Sequence, residues 1–167
     1  SGNWVAGPGQ HDHLSAFSGH TVDVEQGAVV QSGLGDSVGI SLATVNYTLT
    51  NWGEVYGGGA WQSTYPTGLF DRGWGVRAHK TARIFNYGLL QGDGAAFVNN
   101  DSQGYGVYLD EGGEIFNTSS GDMIGTIVGN AVATGTGNAY AYGVYPNSGS
   151  LTNDGIIRAT ANAENGD

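Results

Sequence analysis

Leu49-Thr50-Asn51-Trp52-Gly53-Glu54-Val55-Tyr56-Gly57 returns three more times in this chain. Ile84-Phe85-Asn86-Tyr87-Gly88-Leu89-Leu90-Gln91-Gly92 is the second copy, and Leu151-Thr152-Asn153-Asp154-Gly155-Ile156-Ile157-Arg158-Ala159 is the fourth. The third, Ile115-Phe116-Asn117 followed by Gly121-Asp122-Met123-Ile124-Gly125, reads as having two extra residues in its turn. A fainter copy, Val22-Asp23-Val24-Glu25-Gln26-Gly27-Ala28-Val29, precedes them. Anchored at 25, 51, 86, 117 and 153, the copies lie 26, 35, 31 and 36 residues apart. Periods of that size mark repeat architectures, in which each unit is one turn of a stack.

Two residues before each asparagine stand Leu49, Ile84, Ile115 and Leu151, and beyond the turn stand Val55, Leu90, Met123 and Ile157. Strand residues two apart share a face, so these eight form one inward column on each side of a corner. In the faint copy Val29 fits the far column, but Asp23 falls where the near column wants an apolar residue; Val22 and Val24 have the other parity, so that unit is either shifted by one residue or irregular. The Asn-x-Gly corner suits positive φ, which glycine adopts freely and asparagine tolerates. With units stacked in register, Asn51, Asn86, Asn117 and Asn153 would hydrogen-bond amide to amide as a structural ladder.

A second element aligns without gaps: Val38-Gly39-Ile40-Ser41-Leu42, Trp74-Gly75-Val76-Arg77-Ala78, Tyr105-Gly106-Val107-Tyr108-Leu109 and Tyr142-Gly143-Val144-Tyr145-Pro146. A third run alternates strictly in Ile157-Arg158-Ala159-Thr160-Ala161-Asn162-Ala163. Three strands and three corners describe one rung of a triangular solenoid. Residues 1–20 do not follow the repeat and read as an N-terminal cap or extended arm, with residues 21–167 forming the repeats. Segment 58–73, with three aromatics and Pro66, reads as a protruding loop. The tail from Ala163 to Asp167 loosely matches Thr136-Gly137-Asn138, so the sequence is expected to stop where another rung would begin, without a cap.

At 167 residues the chain suits one domain. Its 31 glycines against 3 prolines point to many tight corners and exclude a collagen-like or proline-rich chain. The formal charge of −10 makes nucleic acid and anionic lipid poor partners. With no cysteine there are no disulfides or thiolate sites. No apolar run reaches the roughly 18 residues that a membrane-spanning helix needs, so no membrane insertion is expected.

The metal candidates are His11 and His13, which would share a strand face, with His20 nearby. The bland alternative is a solvated polar arm, and no closed ligand set accompanies them. Calcium is suggested by Gly92-Asp93-Gly94 or Asn99-Asn100-Asp101, but the nonapeptide pattern of calcium-binding β-rolls is absent, so no cofactor is expected beyond incidental surface binding of Ca²⁺. Asp110, Glu111 and Glu114, with Asp122 in the next corner, could be paired catalytic carboxylates. They flank a Gly-Gly turn, where acidic residues are ordinary, and Arg77, His79, Lys80 and Arg83 stand one unit earlier, where stacking would pair them off. No catalytic residue is therefore assigned. The aromatics repeat in register: Phe85 with Phe116; Tyr108 with Tyr145; Trp74 with Tyr105 and Tyr142; Trp52 with Tyr87. They read as outward rings that support one rung on the next, or as a face for sugar rings or for another copy of the chain.

Tyr142-Gly143-Val144-Tyr145, followed by Gly149-Ser150-Leu151-Thr152-Asn153-Asp154-Gly155-Ile156-Ile157, resembles the passenger repeats of bacterial autotransporters and related secreted β-helix adhesins. The resemblance covers about residues 38–167. It implies an all-β, single-domain, right-handed parallel β-helix of about five rungs. It also implies export, display at the cell surface, and adhesion or self-association. The chain departs from that family in lacking a C-terminal membrane barrel and in being short. The expectation is thus an extracellular, non-catalytic structural or adhesive protein whose main partner is itself, head to tail, as filaments or biofilm matrix, with glycans as further partners. The alternatives are a carbohydrate-active β-helix, a lyase or hydrolase of acidic polysaccharide, and a passive glycan-binding module.

Overall fold

The computed structural model describes residues 3–11, 21–32, 38–43, 45–58, 72–96 and 101–164. The described residues form an all-β fold through which the chain runs in successive passes. The first pass gives β1 (Asn3–Ala6) and β2 (Gly9–His11); the second gives β3 (Thr21–Val24), β4 (Ala28–Gln31) and β5 (Val38–Leu42). The third gives β6 (Tyr47–Asn51), β7 (Glu54–Gly58) and β8 (Arg72–Ala78). The fourth gives β9 (Ala82–Asn86), β10 (Leu89–Ala96) and β11 (Ser102–Leu109). The fifth gives β12 (Gly113–Asn117), a short hairpin of β13 (Ser119–Ser120) and β14 (Met123–Ile124), then β15 (Thr126–Thr134) and β16 (Ala139–Pro146). The last gives β17 (Ser150–Asn153) and β18 (Ile156–Glu164). The second to fifth passes each feed three sheets in turn, and the described strands of the first and last passes feed the first two; the sheets are ordered β1-β3-β6-β9-β12-β17, β2-β4-β7-β10-β15-β18 and β5-β8-β11-β16. Every pairing in these three sheets is parallel.

The apolar columns stack in register. Trp4, Val22, Leu49, Ile84, Ile115 and Leu151 are successive partners in the first sheet. Val30, Val55, Leu90, Ile127 and Ile157 are successive partners along the second sheet or bridge its neighbours. The interior members are sealed from solvent, whereas Leu151, on the edge strand, is 43% exposed. Ile84→Ala should therefore cost about 3 kcal/mol, and Leu151→Ala less than about 1 kcal/mol, because a cavity penalty arises only where neighbours surround the site. Urea midpoints of the two variants check the difference.

Three details differ from the sequence reading. First, Val22 pairs with Leu49 and Val24 with Asn51, so of the two readings of the faint copy the one-residue shift holds, but its anchor is Val24 and not Glu25, and Val30, not Val29, faces the core. Second, Met123 is not in the far column. Ile127 takes that place, and the interval from Asn117 is six residues longer than in the other full copies because β13 and β14 intervene. Third, residues 3–6 and 9–11, from the stretch without a visible repeat, pair with β3 and β4 as edge strands.

Glycine also plays a different part from the one expected. The corner residues Gly53, Gly88 and Gly155 have no positive φ. Their difficulty is space, since a methyl group on Gly88 would run into the carbonyl of Gly53, and one on Gly155 into that of Gly125. The larger use of glycine lies between the second and third sheets. The inward side of β10 runs Leu90, Gly92, Gly94, Ala96, tapering from a full side chain to almost none. A methyl on Gly92 would strike the Tyr105 carbonyl, on Gly94 the Gln103 carbonyl, and on Gly104 the Asn130 carbonyl. The two sheets thus touch backbone to backbone away from the apolar core.

Candidate functional site

Asn51, Asn86 and Asn117 are fully buried, and their amides form one directional chain. Asn51 Nδ2 donates to Asn86 Oδ1 at 2.8 Å, Asn86 Nδ2 to Asn117 Oδ1 at 2.8 Å, and Asn117 Nδ2 to Asn153 Oδ1 at 2.7 Å. Each Nδ2 also donates to a backbone oxygen of the next pass: Leu89, Thr126 and Ile156 respectively. A carbonyl can only accept, so these bonds fix which way every amide points. The chain of amides starts at Asn51, because Val24 and Ala6 occupy the same register position in the earlier passes. It finishes at Asn153, whose Nδ2 donates to Gly155 O at 3.2 Å.

Among the described residues the aromatics form four stacks. Trp52 lies on Tyr87 with ring centroids 4.0 Å apart, and Phe85 on Phe116 at 4.9 Å. On the third sheet, Trp74, Tyr105 and Tyr142 are near-parallel at 6.1 and 5.1 Å, and Tyr108 lies parallel to Tyr145 at 5.2 Å. Tyr105 meets Tyr108, and Tyr142 meets Tyr145, edge to face. Residues three apart on a regular strand point to opposite faces. These pairs meet because the ladder pairing skips Gly75, Gly106 and Gly143, where the strands change parity. Trp74 and Tyr105 are consequently covered by their neighbours, not presented to solvent as the sequence suggested; Tyr145 is an exposed member of the stacks, and Tyr140 is exposed outside them. The Arg77 guanidinium sits over Trp74 and Tyr108, at 5.1 and 5.8 Å from their centroids, and extends the tyrosine column.

The carboxylate corner is fully paired. Asp110 Oδ2 accepts from Arg77 and lies 2.9 Å from His79 Nδ1. Lys80 pairs with Glu111, and Arg83 Nε lies 2.6 Å from Glu114 Oε2. Asp122 sits away in the turn between β13 and β14. Half-exposed pairs of this kind are each worth about 0–1 kcal/mol and serve register more than stability. An open groove of about 570 Å³ beside this corner is lined by Tyr47, Thr81, Arg83 and Glu114 among others, and its one carboxylate is the one tied to Arg83. His13, His20 and Asn99-Asn100 lie outside the described residues, as does most of segment 58–73; His11 falls in β2. Among the described residues no group of three or more His, Asp or Glu side chains is placed to hold a metal ion.

One polar cluster was not legible beforehand as a unit. Asp93 accepts from Gln91 Nε2 at 2.8 Å and from Asn130 Nδ2 at 2.7 Å. Burial holds its pKa above the ordinary aspartate value, against the lowering effect of those two hydrogen bonds. Nearby, burial raises the Tyr56 hydroxyl well above the usual tyrosine range, with the Glu54 hydrogen bond and charge adding to it. A carboxyl whose folded pKa is raised contributes stability below its unfolded pKa and loses it as pH rises through the folded value. Asp93→Asn should remove that slope and raise the melting temperature at neutral pH relative to wild type; melting curves from acid to neutral pH check it.

No protein-family model, curated protein or solved structure matches the chain.

Proposed function

We propose that the chain is an extracellular, non-catalytic structural and adhesive protein that works by strand pairing at its open edges, between copies as well as to surfaces. The proposed architecture is a right-handed parallel β-helix of about five rungs. It is supported by the cyclic visiting of three parallel sheets and by the near-universal right-handedness of parallel crossovers. The observation that carries the reading is the edge formed by β16, β17 and β18. Among the described residues β16, β17 and β18 are the outer strands of the three sheets, every residue of β17 is exposed, and Leu151 is 43% exposed where Ile84 and Ile115 are sealed. Such an edge templates another strand. Meeting the β1 and β2 edge of a second copy is a heterologous contact, which yields a filament when it does not close. The pairing of Asp110, Glu111 and Glu114 with cations favours a non-catalytic role.

Negative-stain microscopy with light scattering over a concentration series tests this. Growing linear assemblies are expected, more readily at high salt because copies of charge −10 repel one another. A monodisperse monomer at all concentrations and salts would overturn self-association. For adhesion, exposed Tyr140 and Tyr145 favour glycans as the target. Retention on a glycan array should then be lost in the Tyr140→Ala, Tyr145→Ala double variant.

A further inference from the structure

The pairing of β11 with β16 sets two pairs of tyrosines ring on ring. Tyr105 with Tyr142 and Tyr108 with Tyr145 are register partners, and their rings lie near-parallel at 5.1 and 5.2 Å. The two pairs differ in their surroundings. Tyr105 is 7% exposed, its hydroxyl donates to Gln103 Oε1 at 3.0 Å, and burial raises its pKa above the ordinary tyrosine value. On its other side lies Trp74, whose indole Nε1 is buried without a hydrogen-bond partner. Neither Tyr105 nor Trp74 has a route by which to release a proton. Tyr108 is half-buried and Tyr145 is exposed, so water reaches both phenols. The Arg77 guanidinium flanks Tyr108 from the β8 side, and Tyr145 is the phenol stacked on it from the β16 side.

We propose that Tyr108 and Tyr145 form an oxidative cross-linking site, joined within one chain as a dityrosine by a one-electron oxidant of the peroxidase class that draws on hydrogen peroxide. Each phenol gives up one electron and its O–H proton, the proton going to water. The two radicals couple through a ring carbon next to each oxygen, a Cε, and form one carbon–carbon bond. The hydrogens on those two carbons then move to the oxygens, which restores both phenols. The net loss is two electrons and two protons, and these reduce one hydrogen peroxide to two waters. The strand register already holds the two side chains opposite each other. Only a roll of the rings about χ2, a broad torsion in tyrosine, separates the stack from the coupled geometry. Tyr105 and Tyr142 are as close, but the enclosed Tyr105 phenol cannot shed its proton to water. In a chain without cysteine the bond does what a disulfide does elsewhere. It ties the fourth pass to the fifth and narrows the freedom of the unfolded chain. The contact lies between two described strands of one chain, so the inference stands apart from self-association.

The test treats the full chain, at high dilution, with a haem peroxidase and hydrogen peroxide under conditions that couple free tyrosine. Blue dityrosine fluorescence is expected, on a single chain lighter by two hydrogen atoms. Cleavage after Asp110, Glu111, Glu114 and Asp122 puts Tyr108 and Tyr145 on separate peptides, which mass spectrometry should find joined. Phenylalanine keeps the ring and its stacking but has no phenol, so Tyr108→Phe and Tyr145→Phe should fold and each lose the product. Tyr105→Phe and Tyr140→Phe should keep it. The coupled chain should unfold at a higher urea midpoint than the untreated one. Coupling only between separate chains, no coupling at all, or an undiminished product in Tyr108→Phe or Tyr145→Phe would overturn the inference. Filaments formed by a chain that does not couple would sink this inference and leave the strand-pairing reading standing.

Discussion

Replacing Gly92 by alanine is expected to destabilise the chain by more than about 3 kcal/mol, beyond the usual range for an overpacked site. Gly92 lies in β10 between Gly57 and Gly129 of the flanking strands, in register with both. An added methyl group would meet the carbonyl oxygen of Tyr105, its carbonyl carbon at 2.6 Å and the Gly73 oxygen at 2.7 Å. All three are backbone atoms of the third sheet, so no side chain can rotate aside. The two sheets would have to separate, and they are held in contact along their length by other glycines of the same kind. Gly121→Ala is the matched control. Gly121 has φ of 60° but open space around it, so only the conformational term applies, about 1 kcal/mol. Circular dichroism and urea midpoints of the two variants separate crowding from strain: a large loss for Gly92 and a small one for Gly121 is the expected pattern.

The second large effect is expected at Asn86. Alanine there removes the acceptor of Asn51 Nδ2 and the donor to Asn117 Oδ1, both buried, and the donors to Thr126 O and Gly88 O, which are part-buried. A buried polar group left without its partner costs about 1–3 kcal/mol, so a total of about 3 kcal/mol follows when two neighbours are affected at once. Asn153→Ala makes the same chemical change where water can reach, and should cost under about 1 kcal/mol. Equal losses at the two positions, measured by denaturant titration, would mean that the ladder is not a continuous buried unit.

How far the sequence could be read follows from where its signals lie. The columns through Leu49, Ile84, Ile115 and Leu151, and the row of asparagines, were legible because spacing by two residues survives in each copy while the intervals between copies vary. Corner insertions do not disturb that spacing, which is why the extra hairpin after Asn117 hid only the far-column residue and not the unit itself. The faint copy stayed open between a one-residue shift and an irregular unit, and its anchor fell on Glu25, because Val24 stands where asparagine normally marks the corner, removing the landmark. Trp4 and Ala6 escaped notice for the same reason, there being neither asparagine nor the following glycine to anchor them. The contact between Tyr105 and Tyr108 depends on a change of strand parity at Gly106, which alternation alone cannot reveal. Asp93, Gln91 and Asn130 join across two strands, and their association depends on a register that only the full pairing supplies. Glycine in a sequence signals either a turn or a close approach, and here the second meaning dominates in β10 and β11.

The most direct measurement of the central claim, a stacked coil with an internal asparagine ladder, is a nuclear Overhauser spectrum of chain labelled with ¹⁵N at asparagine. The account predicts side-chain amide contacts linking Asn51 to Asn86, Asn86 to Asn117 and Asn117 to Asn153, with the first three amides exchanging slowly with solvent. Four mutually isolated amides exchanging at the rate of free asparagine would contradict it.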